Sequence, residues 1–146
     1  MKKLNSVRTR EHPIVGWFAI AALVAVAVNF AWEMAQAYLY EPMGTGWQAT
    51  RGCLIASVGD GAMVLLILTA ARSLASRASV QYAVTTSLGV VVAIAVEWWG
   101  LSSGRWAYRA EMPTVPGTGV GLVPVFQMAV LAPLTLWLAD RSSGES

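Results

Sequence analysis

Polar residues are sparse along this chain, and where they fall inside apolar stretches they recur at helical spacing. Four apolar stretches stand out, at about 14–40, 53–71, 80–100 and 120–139. Each reaches the ~20 residues that a helix needs to cross a ~30 Å hydrocarbon layer. Their apolar residues run nearly all round the helix instead of along one stripe, as lipid contact requires. An open sheet in lipid would leave backbone groups unpaired. The pattern therefore predicts an all-α fold, an integral-membrane four-helix bundle forming one domain over 1–146. Two longer connections, 41–52 and 101–119, lie at one end, and a short polar hairpin turn at 72–79 lies at the other. Their Pro and Gly residues predict no regular helix in the longer connections. The second, rich in aromatic and Arg residues, is expected to fold over the mouth of the bundle. The tail 142–146 is expected to fray.

Composition agrees with this reading. Of 146 residues 56% are hydrophobic and only 12% charged, with a mean hydropathy of +0.56. A soluble domain of this size carries about 25% charged residues. The net charge of +2 is too small and too scattered for nucleic-acid binding. One cysteine (Cys53) and one histidine (His12) exclude an intrachain disulfide and a Cys/His metal cluster. Cys53 itself reads as a small packing residue.

The basic residues assign the sides. Lys2, Lys3, Arg8, Arg10, Arg72, Arg77 and Arg141 lie on one side, and Arg51, Arg105 and Arg109 on the other. By the positive-inside rule both termini are then cytoplasmic. Trp17 and Trp137 fall near the inner interface, and Trp47, Trp98, Trp99 and Trp106 near the outer one, as aromatic belts would have them. The basic start and Ala35-Gln36-Ala37 resemble a cleavable signal peptide. The apolar run, however, is longer than a usual signal core and ends in polar residues at helical spacing, so a retained span is expected.

Those polar residues are the chemically informative ones. Asn29, Glu33, Gln36 and Tyr40 follow spacings of four, three and four. At ~100° per residue they share a stripe roughly 60° wide. A carboxylate within a span costs about 2.5–3.5 kcal/mol on insertion scales, so it normally faces a partner or a cavity. Cys53, Ser57 and Asp60 repeat the pattern in the second span, with Gly59 and Gly61 permitting close approach of a helix or ligand. The third span ends in Glu97-Trp98-Trp99, and the fourth carries Pro124 and Gln127. Asp60, about seven residues inside the apolar boundary, should lie roughly 11 Å deep. Glu33, Glu97 and Gln127 share the outer parts of their spans, so three carboxyls and a carboxamide are expected around one outward-facing pocket.

Each of these residues also has a plainer reading. Asn29, Glu33, Gln36 and Gln127 fit interhelix hydrogen bonding. Glu97 fits an interfacial ion pair with Arg105 or Arg109. The three outer arginines also fit lipid-phosphate contact. As a pocket, the set suits particular chemistry. A protonated carboxyl beside a carboxylate serves acid–base steps, and tryptophan faces stabilise a cation. Together they suit protonation, isomerisation or cyclisation of an apolar alkene without a cofactor, and rim arginines suit an anionic lipid head such as a polyprenyl phosphate. With no Ser–His or Cys–His pairing, acyl transfer is not expected.

Two resemblances bear on this. Asn29-Phe30-Ala31-Trp32-Glu33 resembles the N-x-x-W-E stretch of the integral-membrane terpene cyclases of fungal meroterpenoid pathways. Glu97, then Gly104-Arg105-Trp106-Ala107-Tyr108, then Pro124-Val125-Phe126-Gln127, resembles the membrane lycopene cyclases, in which intramembrane carboxyls protonate a terpenoid alkene. That resemblance implies acid–base roles for Glu33 and Glu97 and a pocket-wall role for Trp106. Gln127 stands where those cyclases carry a carboxyl. Over most of its length the chain is more similar to a group of small four-span bacterial membrane proteins of unassigned function, which share Trp32 to Gln36, Gly59-Asp60, Arg105 to Tyr108, Met112-Pro113 and Gly121 to Gln127.

The resulting expectation is a multi-pass protein of the bacterial inner membrane with a pocket for an isoprenoid or other lipid. Glu33, Asp60 and Glu97 are the expected catalytic groups. Asn29, Gln36, Tyr40, Arg51, Trp98, Arg105, Trp106, Tyr108, Arg109 and Gln127 are the expected substrate-binding groups. Two other readings stay open: a non-catalytic four-helix subunit, self-associating or part of a larger membrane complex, and a small transporter or proton-coupled channel subunit.

Overall fold

The structure is a computed structural model that describes residues 13–41 and 44–144. The basic cluster Lys2, Lys3, Arg8 and Arg10, on which the assignment of sides rests, lies outside the described residues, as do His12 and the last two residues of the tail. Four long helices carry the fold: α1 (Pro13–Gln36), α2 (Trp47–Leu74), α3 (Ala78–Ser102) and α4 (Leu122–Ser143), with a short 3-10 turn at Ala37–Leu39 extending α1. All four are long and apolar enough to cross a membrane. Among the described residues, β structure is limited to isolated bridges, Tyr40 with Tyr108 and Thr114 with Gly121.

Two boundaries differ from the expectation. Helix α2 begins at Trp47, six residues before the apolar stretch, so 41–52 is not a loop throughout and Arg51 sits on a helix. Hydropathy marks where apolar residues start, whereas a helix continues wherever its backbone is paired. Gly46, at φ +57°, makes the turn into it. At the other end α4 runs to Ser143 and stops at Gly144 in the left-handed conformation, so Ser142 and Ser143 of the tail are helical and not frayed.

Helices α1 and α3 each bury one narrow line, made mostly of small residues. On α1 the line is Trp17, Ala21, Ala25 and Asn29, and on α3 it is Thr85, Gly89, Ala93, Glu97 and Gly100. The four-residue step keeps such a line on one face. Helix α4 is the most enclosed, with two adjacent lines covered from Pro124 to Ala139. Between apolar helices in an apolar solvent, packing contact replaces hydrophobic drive, so small residues set the distance of approach. A Cβ on Gly61 would stand 2.9 Å from Val26 Cγ2, and one on Gly89 would stand 2.6 Å from the Met128 carbonyl oxygen. The closest neighbours are α1 with α2, α3 with α4, and α1 with α4, whereas α2 and α3, although joined by the hairpin, touch less.

The hairpin end holds a polar clasp. Arg72 pairs with Asp140 at 2.5 Å, Trp17 Nε1 donates to the same carboxylate oxygen at 2.8 Å, and the Arg72 guanidinium lies 3.8 Å from the Trp17 ring centroid. Trp17 is therefore not a belt residue: it is 1% exposed and ties α1 to α2 and α4.

Gly89 and Gly59 give a paired test of this packing. Gly89→Ala should lower stability by about 1–3 kcal/mol, because the Met128 backbone cannot yield easily. Gly59→Ala, whose Cβ meets nothing within 4 Å, should be neutral or stabilising by up to ~1 kcal/mol from helix propensity. Thermal unfolding in detergent, followed by tryptophan fluorescence, measures both.

Candidate functional site

The end of the bundle away from the hairpin encloses a cavity of about 470 Å³. Its walls come from all four helices: Glu33 and Ala37 from α1 and its extension, Cys53, Ala56, Gly59, Asp60 and Met63 from α2, Ala93, Val96 and Glu97 from α3, and Pro124, Gln127 and Met128 from α4. The connection between α3 and α4 folds across this end, as expected, and contributes Trp106 and Arg109. It is anchored by Trp106, whose ring packs directly on Gly100: a Cβ there would stand 1.9 Å from the indole. The backbone of Arg109 also donates to Leu39, and that of Glu41 to Ala107, both at 2.9 Å.

Gln127, 2% exposed, joins three helices through one side chain. Its Nε2 lies 2.9 Å from Asn29 Oδ1, 3.1 Å from Glu33 Oε1 and 3.1 Å from Asp60 Oδ2. Its Oε1 accepts from Gln36 Nε2 at 2.8 Å, and Gln36 donates also to Glu33 at 2.7 Å. Trp32 Nε1 completes the set by donating to Gln36 Oε1 at 3.1 Å, and Asn29 donates to the Ala25 carbonyl at 2.8 Å. The Glu33 and Asp60 carboxyls thus converge on a single donor, Gln127 Nε2. Two carboxyl groups brought together in apolar surroundings disfavour a double negative charge, so the pair is suited to sharing one proton.

Glu97 belongs to a second group. Its Oε1 accepts from Tyr40 at 3.5 Å, and its Oε2 accepts from Trp106 Nε1 at 3.1 Å and from the Tyr108 hydroxyl. Three donors and no acceptor fit an ionised carboxylate. Burial first, and the bond to Glu97 second, hold the Tyr108 hydroxyl well above its usual range, so it stays a donor. Tyr108 oxygen in turn accepts the Gly121 N–H at 2.9 Å, tying the loop to the start of α4.

The two carboxyl groups thus differ by their partners. Glu33 and Asp60 converge on one donor, an arrangement suited to sharing a proton. Glu97 is supported as an anion and can accept a proton or stabilise positive charge. Both border the same largely apolar space.

Several expectations are corrected here. Asp60 is 13 residues into α2, because the helix starts at Trp47, ahead of the apolar boundary at Cys53, and so lies about 20 Å along the axis from the start of the helix at 1.5 Å per residue. It reaches the cluster through its side chain. Among the described residues Glu97 pairs with no arginine. Arg105 instead lies over the Trp99 ring at 4.4 Å, and Arg109 Nε donates to the Tyr40 carbonyl at 3.1 Å. Arg51 borders a separate shallow groove with Trp47, Gln48, Gly52 and Ile55. Trp98 is 65% exposed and is not a wall of the cavity. Asn29, Gln36 and Tyr108 stand behind the wall and position the residues that form it. The sequence reading missed the apolar wall, Ala56, Met63, Ala93 and Val96; only their alignment with Asp60 and Glu97 at helical spacing could have pointed to them.

Removing the carboxamide tests the first cluster. Gln127→Leu keeps the volume but leaves Glu33, Asp60 and Gln36 each short of a partner, and should cost about 3 kcal/mol. Tyr108→Phe should cost less, about 1 kcal/mol, and act locally. Hydrogen exchange should then rise at Gly121 and across the 103–121 loop while α1 and α2 keep wild-type protection.

Set against known proteins, the chain matches no protein-family model, no curated protein and no solved structure.

Proposed function

We propose that the protein is a multi-pass protein of the bacterial inner membrane whose cavity binds an isoprenoid or other lipid and performs cofactor-independent acid–base chemistry on it. Both termini are cytoplasmic in this reading, and the cavity lies toward the outer face. The observation that carries it is the meeting of two differently held carboxyl centres, Glu33 with Asp60 and Glu97 with its three donors, on one apolar cavity. In the simplest reaction an alkene takes the proton of the Glu33–Asp60 pair at one carbon. The resulting cation is stabilised by Glu97 and the Trp106 ring. Loss of a proton from a neighbouring carbon back to the Glu33–Asp60 pair restores the acid and closes the cycle, giving an isomerised or cyclised product with no net change in protons or electrons.

A transport role is less well supported by the same coordinates. Between Asn29 and Asp60 and the Arg72–Asp140 clasp, the fully buried side chains among the described residues carry no ionisable group: they are Ala21, Ala25, Val64, Leu68, Ala132 and Leu136, with only the hydroxyls of Thr85 and Thr135 among them. A proton or ion path through that half would need polar stepping stones.

Native mass spectrometry of the gently solubilised protein tests the proposal, with bound lipids extracted and identified. Wild type should retain a defined isoprenoid or lipid, and Glu33→Gln or Asp60→Asn should lose it or retain a chemically different form. Loss of turnover should be the larger effect, at least ~100-fold, as for a general acid. A second polypeptide at fixed stoichiometry, with no specific lipid, would replace this reading with that of an assembly subunit.

A further inference from the structure

The cavity has two distinct borders, and together they orient a ligand. Toward the loop end its rim carries Arg109, the only arginine lining it among the described residues, together with the acidic Glu41. The Arg109 Nε is used by the Tyr40 carbonyl, which fixes the guanidinium at the rim, and its Nη groups make no other hydrogen bond among the described residues. The other two candidate cations are accounted for elsewhere, Arg105 over Trp99 and Arg51 on its separate groove. One site therefore presents one cation.

The side border lies between α2 and α3. The single buried line of α3 is turned to α4, where Gly89 meets Met128. The buried line of α2 is turned to α1, where Gly61 meets Val26 and Cys53 Sγ approaches the Glu33 carbonyl at 3.8 Å. Neither helix presses its main face on the other at the level of the cavity. The seam is lined there by Ala56, Gly59 and Met63 facing Ala93 and Val96. Gly59 is exposed and has nothing within 4 Å of where its Cβ would be. It is the thirteenth residue of a 28-residue helix, so this gap lies at mid-depth, where a bilayer presents acyl chains, not water.

We propose that the site seats a single-chain amphiphile with its anionic head at Arg109 and its tail passing sideways between α2 and α3, beside Gly59, into the bilayer. The inference rests on the lipid-pocket reading above and adds the orientation of the ligand and its route. A tail that leaves sideways need not fit wholly inside about 470 Å³, so chain length beyond the seam is not selected, whereas the segment nearest the head lies against the carboxyl groups. Arg109 selects for a charged head by a charge-assisted hydrogen bond.

The test uses the full chain in phosphatidylcholine nanodiscs, with radiolabelled farnesyl phosphate, farnesol and inorganic phosphate as probes. Wild type should bind farnesyl phosphate about tenfold more tightly than farnesol and should not retain inorganic phosphate, one charge-assisted contact being of that order. Arg109→Gln should abolish the difference and leave farnesol binding unchanged. Gly59→Leu should weaken both prenyl probes about tenfold, equivalent to excluding about two tail methylenes, and Gly59→Ala should weaken them less. If Gly59→Leu does not fold, Val96→Phe on the facing wall decides the same point. Prenyl binding that is unchanged by the seam variants but reduced by Glu33→Gln overturns the sideways seat and keeps the pocket. A persisting preference for the phosphate in Arg109→Gln overturns the head position. Failure of wild type to bind either prenyl probe overturns the pocket reading and this inference together.

Discussion

A polar group in an apolar bundle must find its partner inside the protein, and that constraint organises this structure. Water is not available to a carboxyl at mid-helix, and an unpaired one costs more than most single packing contacts supply. The chain meets this cost with a carboxamide. Gln127 carries both donor and acceptor atoms on one short side chain, so it shares its two N–H protons among Glu33, Asp60 and Asn29 and accepts from Gln36 with its oxygen. A carboxyl at the same position would offer acceptors to groups that already have an excess of them. The bundle is thus pinned at two levels, by the Gln127 cluster toward the loop end and by the Arg72–Asp140–Trp17 clasp at the hairpin end. Both tie α1, α2 and α4, and α3 is held instead by its glycine line against α4 and by Glu97.

That division has a consequence for the cavity. Three helices are fastened by polar contacts at both ends, and the fourth is attached along one face, so the space that remains lies beside α3. The close approach of Gly89 to Met128 draws α3 toward α4 and therefore away from α2. The cavity is a product of where the small residues are: where they face a neighbouring helix the backbones close up, and where they do not, as at Gly59, space is left. Gly59 and Gly61 are two residues apart and face different surroundings, one an opening and the other a helix.

Much of this was legible in the sequence, for identifiable reasons. The four spans follow from length and hydropathy, and the stripe of Asn29, Glu33, Gln36 and Tyr40 follows from helical periodicity alone. Convergence of Glu33, Asp60 and Gln127 was anticipated because intramembrane polar groups have few alternatives to one another. The start of α2 was not legible, because Gln48, Thr50 and Arg51 are polar and hydropathy cannot distinguish a polar helical turn from a loop. Nor was the clasp: Arg72 and Asp140 are 68 residues apart, and each reads as an ordinary interfacial charge until the fold brings the two ends together. The partners of Glu97 were hidden by charge itself. An arginine is the obvious counterpart of a carboxylate, yet here three neutral donors, Tyr40, Trp106 and Tyr108, take that place.

Neutral donors in place of a cation change what Glu97 can do. A guanidinium would cancel the carboxylate charge and leave little field across the cavity. Phenol and indole donors stabilise the same charge by hydrogen bonding without cancelling it, so the field remains directed into an apolar space where it is weakly screened. Arg109 and Arg105, both close in sequence, are held back from it by contacts of their own, one with the Tyr40 carbonyl and the other with the Trp99 ring. Those contacts leave Arg109 beside Glu41 at the rim and Glu97 deeper in the cavity. In the proposed seat a ligand meets the single rim arginine at its head and the Glu97 and Glu33–Asp60 carboxyl groups farther in, and that order gives the cavity a direction as well as a volume.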